Sequence, residues 1–81
     1  MKRTTCIRIN TIQKVKDFVS ISEKFPGLVS VREGPYTVNG KSILGIFSLS
    51  LELPVQVDAS CEDLSILQEY IRYITEHFPK K

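Results

Sequence analysis

Residues 38–49 read VNGKSILGIFSL, and this stretch is the most informative part of the sequence for the fold. The Asn39-Gly40 pair is typical of a tight turn. The apolar residues that follow suit a short helix capped by Ser42 better than a strand, although Gly45 weakens such a helix by about 1 kcal/mol relative to alanine. A helix of two turns cannot bury apolar residues around its whole circumference. Some of these side chains are therefore expected to be exposed.

Six further elements are predicted on either side of this helix from apolar periodicity. They are strands over 4–9, 28–33, 36–38 and 52–59, a helix from Asn10 or Thr11 to Lys24, and a final helix that ends before Pro79. The stripe predicted to be buried on the first helix contains Ile12, Val15, Phe18, Val19 and Ser22. The final helix has the strongest stripe: Leu64, Leu67, Ile71, Ile74 and Phe78. Ser60 and Asp63 are predicted to form its reciprocal cap.

The resulting order, βαββαβα, predicts an α+β fold in one domain over residues 1–81. Four short strands with one apolar face form an antiparallel sheet, and the two longer helices have the length to cover that face. We therefore expect an open-faced sandwich with the helices on one side. A parallel doubly wound sheet is disfavoured because only a turn separates the middle strands, and a crossover needs a dozen residues or more.

Composition narrows the classes of partner. The 81 residues are 42% hydrophobic and carry eleven basic and nine acidic side chains, which is not the strongly basic balance typical of a nucleic-acid binder. Eight basic and three acidic residues lie in 1–41, against three and six in 42–81. Binding of an acidic partner or nucleic acid through Lys14, Lys16 and Lys41 stays open as a weaker hypothesis. No apolar run approaches a signal peptide or a membrane span, so a cytoplasmic protein without membrane contact is expected.

The chemistry-bearing residues are few. Cys6, Cys61 and His77 cannot supply the four ligands of a structural metal site, so we expect no metal and no other cofactor. The cysteines are expected to be reduced, and His77, in a last helical turn, to be structural or exposed. The GKS at 40–42 lacks the earlier glycine of a phosphate loop, since Pro35 stands there. No nucleophile has a base at a suitable spacing, so an enzyme is not predicted.

The sequence KSILGIFSL at 41–49 resembles the HPr family, the small phosphocarriers of the bacterial sugar phosphotransferase system. That family, particularly in Gram-positive bacteria, carries a Lys-Ser-Ile run that leads to a glycine and then to Ser-Leu. The resemblance extends without gaps over nearly the whole chain, and the family's element order is the one predicted above. It implies the HPr-like open-faced sandwich.

The resemblance also implies two functional features around the short helix. Ser42 corresponds to the serine that caps this helix in HPr and is phosphorylated by a regulatory serine kinase. Ile43, Leu44 and Phe47 correspond to an exposed apolar surface that docks partner proteins. A phosphate at a helix N-terminus is electrostatically favoured. Two simpler interpretations stay open: Ser42 is only a cap, and Leu44 or Phe47 packs under a neighbouring loop.

The chain departs from the family at the start of the first helix. A phosphocarrier has a histidine there, in a Gly-Leu-His-x-Arg-Pro pattern, because an imidazole phosphoramidate can pass its phosphoryl group onward. Thr11 occupies that position here, Gln13 replaces the arginine and Lys14 replaces the proline. A threonine phosphate is a stable ester, so the resemblance does not carry phosphotransfer over to this chain.

Two functions follow as hypotheses. The first is a non-catalytic regulatory or protein-binding module related to sugar transport, which docks a serine kinase, a phosphotransferase-system protein or a regulatory protein through the short helix, with Ser42 as a switch. The second is a phosphocarrier that uses an atypical acceptor residue.

Overall fold

A computed structural model describes residues 1–80; residue 81, the last of the predicted domain, lies outside the described residues. The elements are β1 (Lys2–Ile7), α1 (Ile12–Glu23), β2 (Leu28–Glu33), β3 (Tyr36–Asn39), α2 (Ile43–Phe47), β4 (Val55–Ser60) and α3 (Leu64–His77). The predicted order βαββαβα is confirmed, including a short helix directly after Ser42.

The four strands form one sheet in the order β1-β4-β2-β3, and every neighbouring pair is antiparallel. One cross-strand row shows how the register sorts the two faces. Val57 stands opposite Thr5 on one side and opposite Val31 on the other, and both valines are fully buried. The neighbouring row joins Thr4, Asp58 and Ser30, which are polar. The helices cover the apolar face, so the predicted open-faced α+β sandwich is confirmed.

The core lies between the sheet and the two longer helices. Phe18 of α1 and Phe78 beyond α3 meet edge to face, with ring centroids 6.0 Å apart. Ser22 and Tyr70 join the same two helices through a buried hydrogen bond of 2.6 Å between their hydroxyl oxygens. The fully buried large apolar side chains are Ile7, Ile9, Val15, Phe18, Val31, Ile46, Val55, Val57, Leu67, Ile74 and Phe78.

The buried stripe of α1 differs from the prediction at its first residue. Val15, Phe18, Val19 and Ser22 are buried as predicted, but Ile12 is 65% exposed. Side chains of a helix tilt toward its N-terminus. Since Ile12 is the first residue of α1, its side chain projects past the end of the helix and has no preceding turn beneath it.

The strand ends differ because pairing, rather than local alternation, sets them. β1 covers Lys2–Ile7 instead of 4–9, since it pairs along its whole length with Val55–Ser60; Ile9 is nevertheless buried. β4 starts at Val55 instead of residue 52, directly after a proline that cannot donate a ladder hydrogen bond.

The predicted reciprocal cap of α3 is wrong. Ser60 belongs to β4 and pairs with Lys2 and Leu28, so it is not free to cap the following helix. Asp63 is the N-cap by itself, and its carboxylate accepts a hydrogen bond from the Ile66 amide at 3.2 Å.

Candidate functional site

Three hydrogen bonds stabilise the turn that leads into α2. The Asn39 side chain accepts a hydrogen bond from the Lys41 amide at 2.8 Å, and its carbonyl accepts one from the Ser42 amide at 3.1 Å. The Gly40 amide donates to the Val29 carbonyl at 2.8 Å. A Cβ at Gly40 would lie 2.3 Å from Val29 Cγ1, so any other residue would force Val29 to shift. The NGKS turn therefore places Ser42 by packing against β2 as well as by local hydrogen bonds.

Ser42 is the N-cap of α2, as predicted. Its backbone is extended (φ −108°, ψ 111°), and its hydroxyl oxygen accepts a hydrogen bond from the Gly45 amide at 3.1 Å. The Ser42 side chain is only partly buried. One lone pair is used by the cap, while a hydroxyl also has a second lone pair and a proton to donate. A cap of this kind stabilises a helix by about 1 kcal/mol.

The apolar residues of α2 divide between two sides. Ile46 is fully buried, and Leu49, just beyond the helix, is 8% exposed. Ile43 is partly buried and packs against the core. Leu44 is 81% exposed and Phe47 is 41% exposed. We call Ile43, Leu44 and Phe47 together the α2 patch; its most exposed member is Leu44 and its most covered is Ile43.

Side chains of residues 10–17 form local hydrogen bonds around the start of α1. Thr11 is the N-cap and its hydroxyl accepts a hydrogen bond from the Lys14 amide at 3.1 Å. The Gln13 amide group donates to Asp17 at 2.9 Å, and the Lys14 ammonium donates to the Asn10 side chain at 3.4 Å. Thr11, Gln13 and Lys14, which the resemblance aligns with the histidine, arginine and proline of the HPr pattern, are thus engaged in local contacts.

The two regions lie on neighbouring helices, because α1 and α2 pack against each other. His77 is engaged elsewhere. Its ring stacks on Tyr73, with centroids 5.2 Å apart and planes within 13°, and meets the edge of Phe78 at 4.8 Å. Tyr73 lies in α3, and Phe78 is the C-cap of that helix.

Two polar contacts near the site were not predicted from the sequence. The Lys41 ammonium donates to the Phe25 carbonyl at 2.6 Å, and the Arg8 guanidinium donates to the Glu52 carbonyl at 2.6 Å. In each contact a basic side chain donates to the backbone carbonyl of a residue far away in the sequence. A carbonyl acceptor leaves no trace in residue identity, so no sequence signal could have identified either pair.

Asp58 is the central charged group on the uncovered face of the sheet. The Thr4 hydroxyl donates to its carboxylate at 2.7 Å, and the Gln56 side chain donates at 3.2 Å. These hydrogen bonds, the first above all, together with Lys2 and Arg32 hold the pKa of the Asp58 carboxyl below its usual value, against the opposing effect of burial.

Within residues 1–80, no three His, Cys, Asp or Glu side chains lie together in a way that could hold a metal ion. Cys6 and Cys61 are both free thiols. None of the helices in the described part of the chain is long and apolar enough to cross a membrane.

No protein-family model matches the sequence, and no curated protein matches it. Solved structures do match. The structure of HPr-C-His from Thermoanaerobacter tengcongensis aligns with 100% of this chain and 98% of its own, with a TM-score of 0.72 and 24% identity. The chain has the HPr fold. The phosphocarrier protein HPr from Bacillus anthracis str. Ames aligns with 95% of this chain and 96% of its own, with a TM-score of 0.76 and 18% identity.

The predicted resemblance to HPr proteins is therefore confirmed at the level of the fold. It extends over nearly the full length of both HPr chains, so the HPr fold accounts for every element described above. The positions of Ser42, the α2 patch and Thr11 are now known, and the functions assigned to them remain predictions.

Proposed function

We propose that this chain is a non-catalytic, HPr-like docking module of the bacterial cytoplasm, related to the sugar phosphotransferase system. It binds a partner protein through the α2 patch, and phosphorylation of Ser42 regulates that binding. The observation that carries the proposal is the exposure of two large apolar side chains, Leu44 at 81% and Phe47 at 41%, on a helix whose Ile46 is fully buried.

Exposure of these side chains gives a partner something to bury. Burying one leucine or phenylalanine side chain contributes about 1.5–3 kcal/mol, and adjacent exposed apolar residues commonly mark a protein contact. The helix that presents them is well positioned, since Ile46 anchors it in the core and Gly40 fixes the turn before it. A partner therefore meets a surface that needs little reordering, which lowers the entropic cost of binding.

Loss of phosphocarrier chemistry is supported by the residue at the start of α1. Thr11 carries a hydroxyl that accepts the Lys14 amide, and an ester formed there would not be a labile donor. The chain's single histidine, His77, stacks within α3. An acid-labile phosphoprotein formed from phosphoenolpyruvate and the first enzyme of the phosphotransferase system would contradict this part of the proposal.

Regulation at Ser42 requires a kinase and ATP. The γ-phosphoryl group would pass to the Ser42 hydroxyl oxygen, the hydroxyl proton would leave with the kinase base, and ADP would be released. The partial exposure of Ser42 supports access, and the free N–H groups of a helix start favour a phosphate there. Incubation with a serine kinase that acts on HPr proteins should add one phosphate by intact mass, and Ser42→Ala should abolish it. An unmodified mass in the parent chain would remove the switch.

Docking is tested with variants matched for exposure. Leu44→Ala removes an 81% exposed leucine, and Leu28→Ala removes one that is 76% exposed at the start of β2. Phe47→Ala is matched by Ile66→Ala, at 41% and 42% exposure. Binding to the kinase, measured by calorimetry, should weaken at least tenfold in the two α2 variants and stay unchanged in the two controls. Equal weakening in all four would refute a specific role for the α2 patch.

A further inference from the structure

The Lys41 ammonium makes a contact that the docking proposal does not use. It donates a 2.6 Å hydrogen bond to the Phe25 carbonyl across sixteen residues of sequence, in a partly buried position. Lys41 directly precedes the α2 cap, and Phe25 directly follows the α1 C-cap. One side chain thus joins the start of α2 to the end of α1.

Electrostatics give this contact more weight than an ordinary surface hydrogen bond. The last turn of α1 contains no basic residue, and the lysine at its C-cap, Lys24, is exposed to solvent. Lys41 brings a second cation to this end of the helix from a distant part of the chain, in a partly buried contact that water screens less. A charged donor also makes a shorter and stronger hydrogen bond than a neutral one.

The acceptor side of the contact is firmly held. Phe25 is 4% exposed, and its ring packs 4.4 Å from that of Tyr70 in α3. Its amide donates to the Ser22 carbonyl at 3.1 Å. The donor side is the flexible partner, because a lysine amine sits on a four-carbon stem. A new charge beside Lys41 would therefore move the ammonium and leave the Phe25 carbonyl behind.

We propose that Lys41 is a charge-sensing latch: its ammonium fastens the start of α2 to the end of α1, and a negative charge at residue 42 draws it off the Phe25 carbonyl. The latch rests on the proposed function only for the identity of the position that receives the charge. Its output is a local loosening of the segment 24–27 between α1 and β2, with the sheet intact.

Amide hydrogen exchange by NMR tests the latch without any kinase or partner. Ser42→Asp brings in the charge while keeping a good helix cap, and Ser42→Asn is its neutral match in shape. Ser42→Asp should raise the exchange rate of the Phe25 amide roughly tenfold, the effect of losing one charge-assisted hydrogen bond. Ser42→Asn should leave it unchanged.

Lys41→Met should produce the same tenfold increase, Lys41→Arg should restore the parent rate, and Ser42→Asp combined with Lys41→Met should add nothing further. Unchanged exchange in Ser42→Asp would overturn the latch, as would additive effects in the double variant. If Lys41→Met does not fold, the comparison of Ser42→Asp with Ser42→Asn still decides. Failure of partner binding or of the kinase reaction would sink the proposed function and leave these exchange results standing.

Discussion

Replacement of Tyr70 by phenylalanine removes one oxygen from the buried contact between α1 and α3. Tyr70 and Ser22 are 7% and 0% exposed, and their hydroxyl oxygens lie 2.6 Å apart. Among the described residues no buried side-chain nitrogen or oxygen is without a hydrogen bond, so Tyr70→Phe creates the first one. An unpaired buried hydroxyl costs about 1–3 kcal/mol. We expect the free energy of unfolding at pH 8 to fall by about that amount.

At alkaline pH the parent chain should lose stability through ionisation of Tyr70, and Tyr70→Phe, which has no phenol, should not. Burial raises the pKa of the Tyr70 phenol to about 12, against a weaker opposing effect of the Ser22 hydrogen bond. An unfolded tyrosine titrates near about 10. Between these two values the unfolded chain loses the proton while the folded chain keeps it, so stability falls as pH rises. At 1.36 kcal/mol per pKa unit, the loss approaches about 2.7 kcal/mol.

Urea unfolding of the parent chain and Tyr70→Phe, followed by circular dichroism from pH 8 to 12, measures both effects. Other titrating groups are common to the two proteins and cancel in the difference. The parent should be more stable at pH 8, and the gap should narrow as pH rises above about 10. A gap that stays constant to pH 12 would refute the assignment of the alkaline instability to Tyr70. Adding Ser22→Ala should recover most of the loss at pH 8, because both partners are then apolar.

Three further predictions concern single positions. Gly40→Ala should cost about 1–3 kcal/mol in urea unfolding, because its Cβ would lie 2.3 Å from Val29 Cγ1; an unchanged midpoint would contradict the packing. Asp58→Asn should lower stability at pH 7, and the difference should vanish as pH falls through the pKa of Asp58, which Thr4 holds below its usual value; a difference that persists at pH 2 would argue against a charge effect. Leu44→Ala should change stability by less than about 0.5 kcal/mol, since the side chain is 81% exposed, and a larger loss would mean that Leu44 packs in the fold.

The element order could be predicted because each element has a local signal of its own. Leu28–Glu33 and Tyr36–Asn39 alternate and are separated by a two-residue turn, which requires them to be antiparallel neighbours. The α2 helix was recognisable from Ser42 and the apolar run that follows. These signals depend on spacing over a few residues, which the sequence displays directly.

The predictions are wrong where contacts between residues distant in the sequence determine the structure. The ends of β1 follow from its pairing with β4, where Lys2 meets Ser60 and Ile7 meets Val55. Ser60 could not cap α3 because it belongs to this pairing. Ser22 was predicted on the buried stripe of α1, but its partner Tyr70 was absent from the predicted stripe of α3. No periodic pattern within one helix reveals a hydrogen bond to another helix.

The candidate site, like the fold, was predictable only in part from the sequence. Spacing indicated that Ser42 is a cap and that some apolar residues of α2 must be exposed. The resemblance to HPr proteins, rather than spacing, singled out Ile43, Leu44 and Phe47. In the structure Ile43 is partly buried and the other two are exposed. A five-residue helix is too short for periodicity to orient it, so its exposed side depends on contacts with the rest of the fold.

The start of α1 shows how this fold is kept with a threonine as the helix cap. Thr11 is a residue type that caps helices well, and its hydroxyl meets an amide that would otherwise lack a partner. The α2 patch depends on other contacts, namely Gly40 against Val29 and Ile46 in the core. These two sets of contacts share no residue, although α1 and α2 pack against each other, so a change of the residue 11 side chain is expected to leave the Gly40 and Ile46 contacts in place.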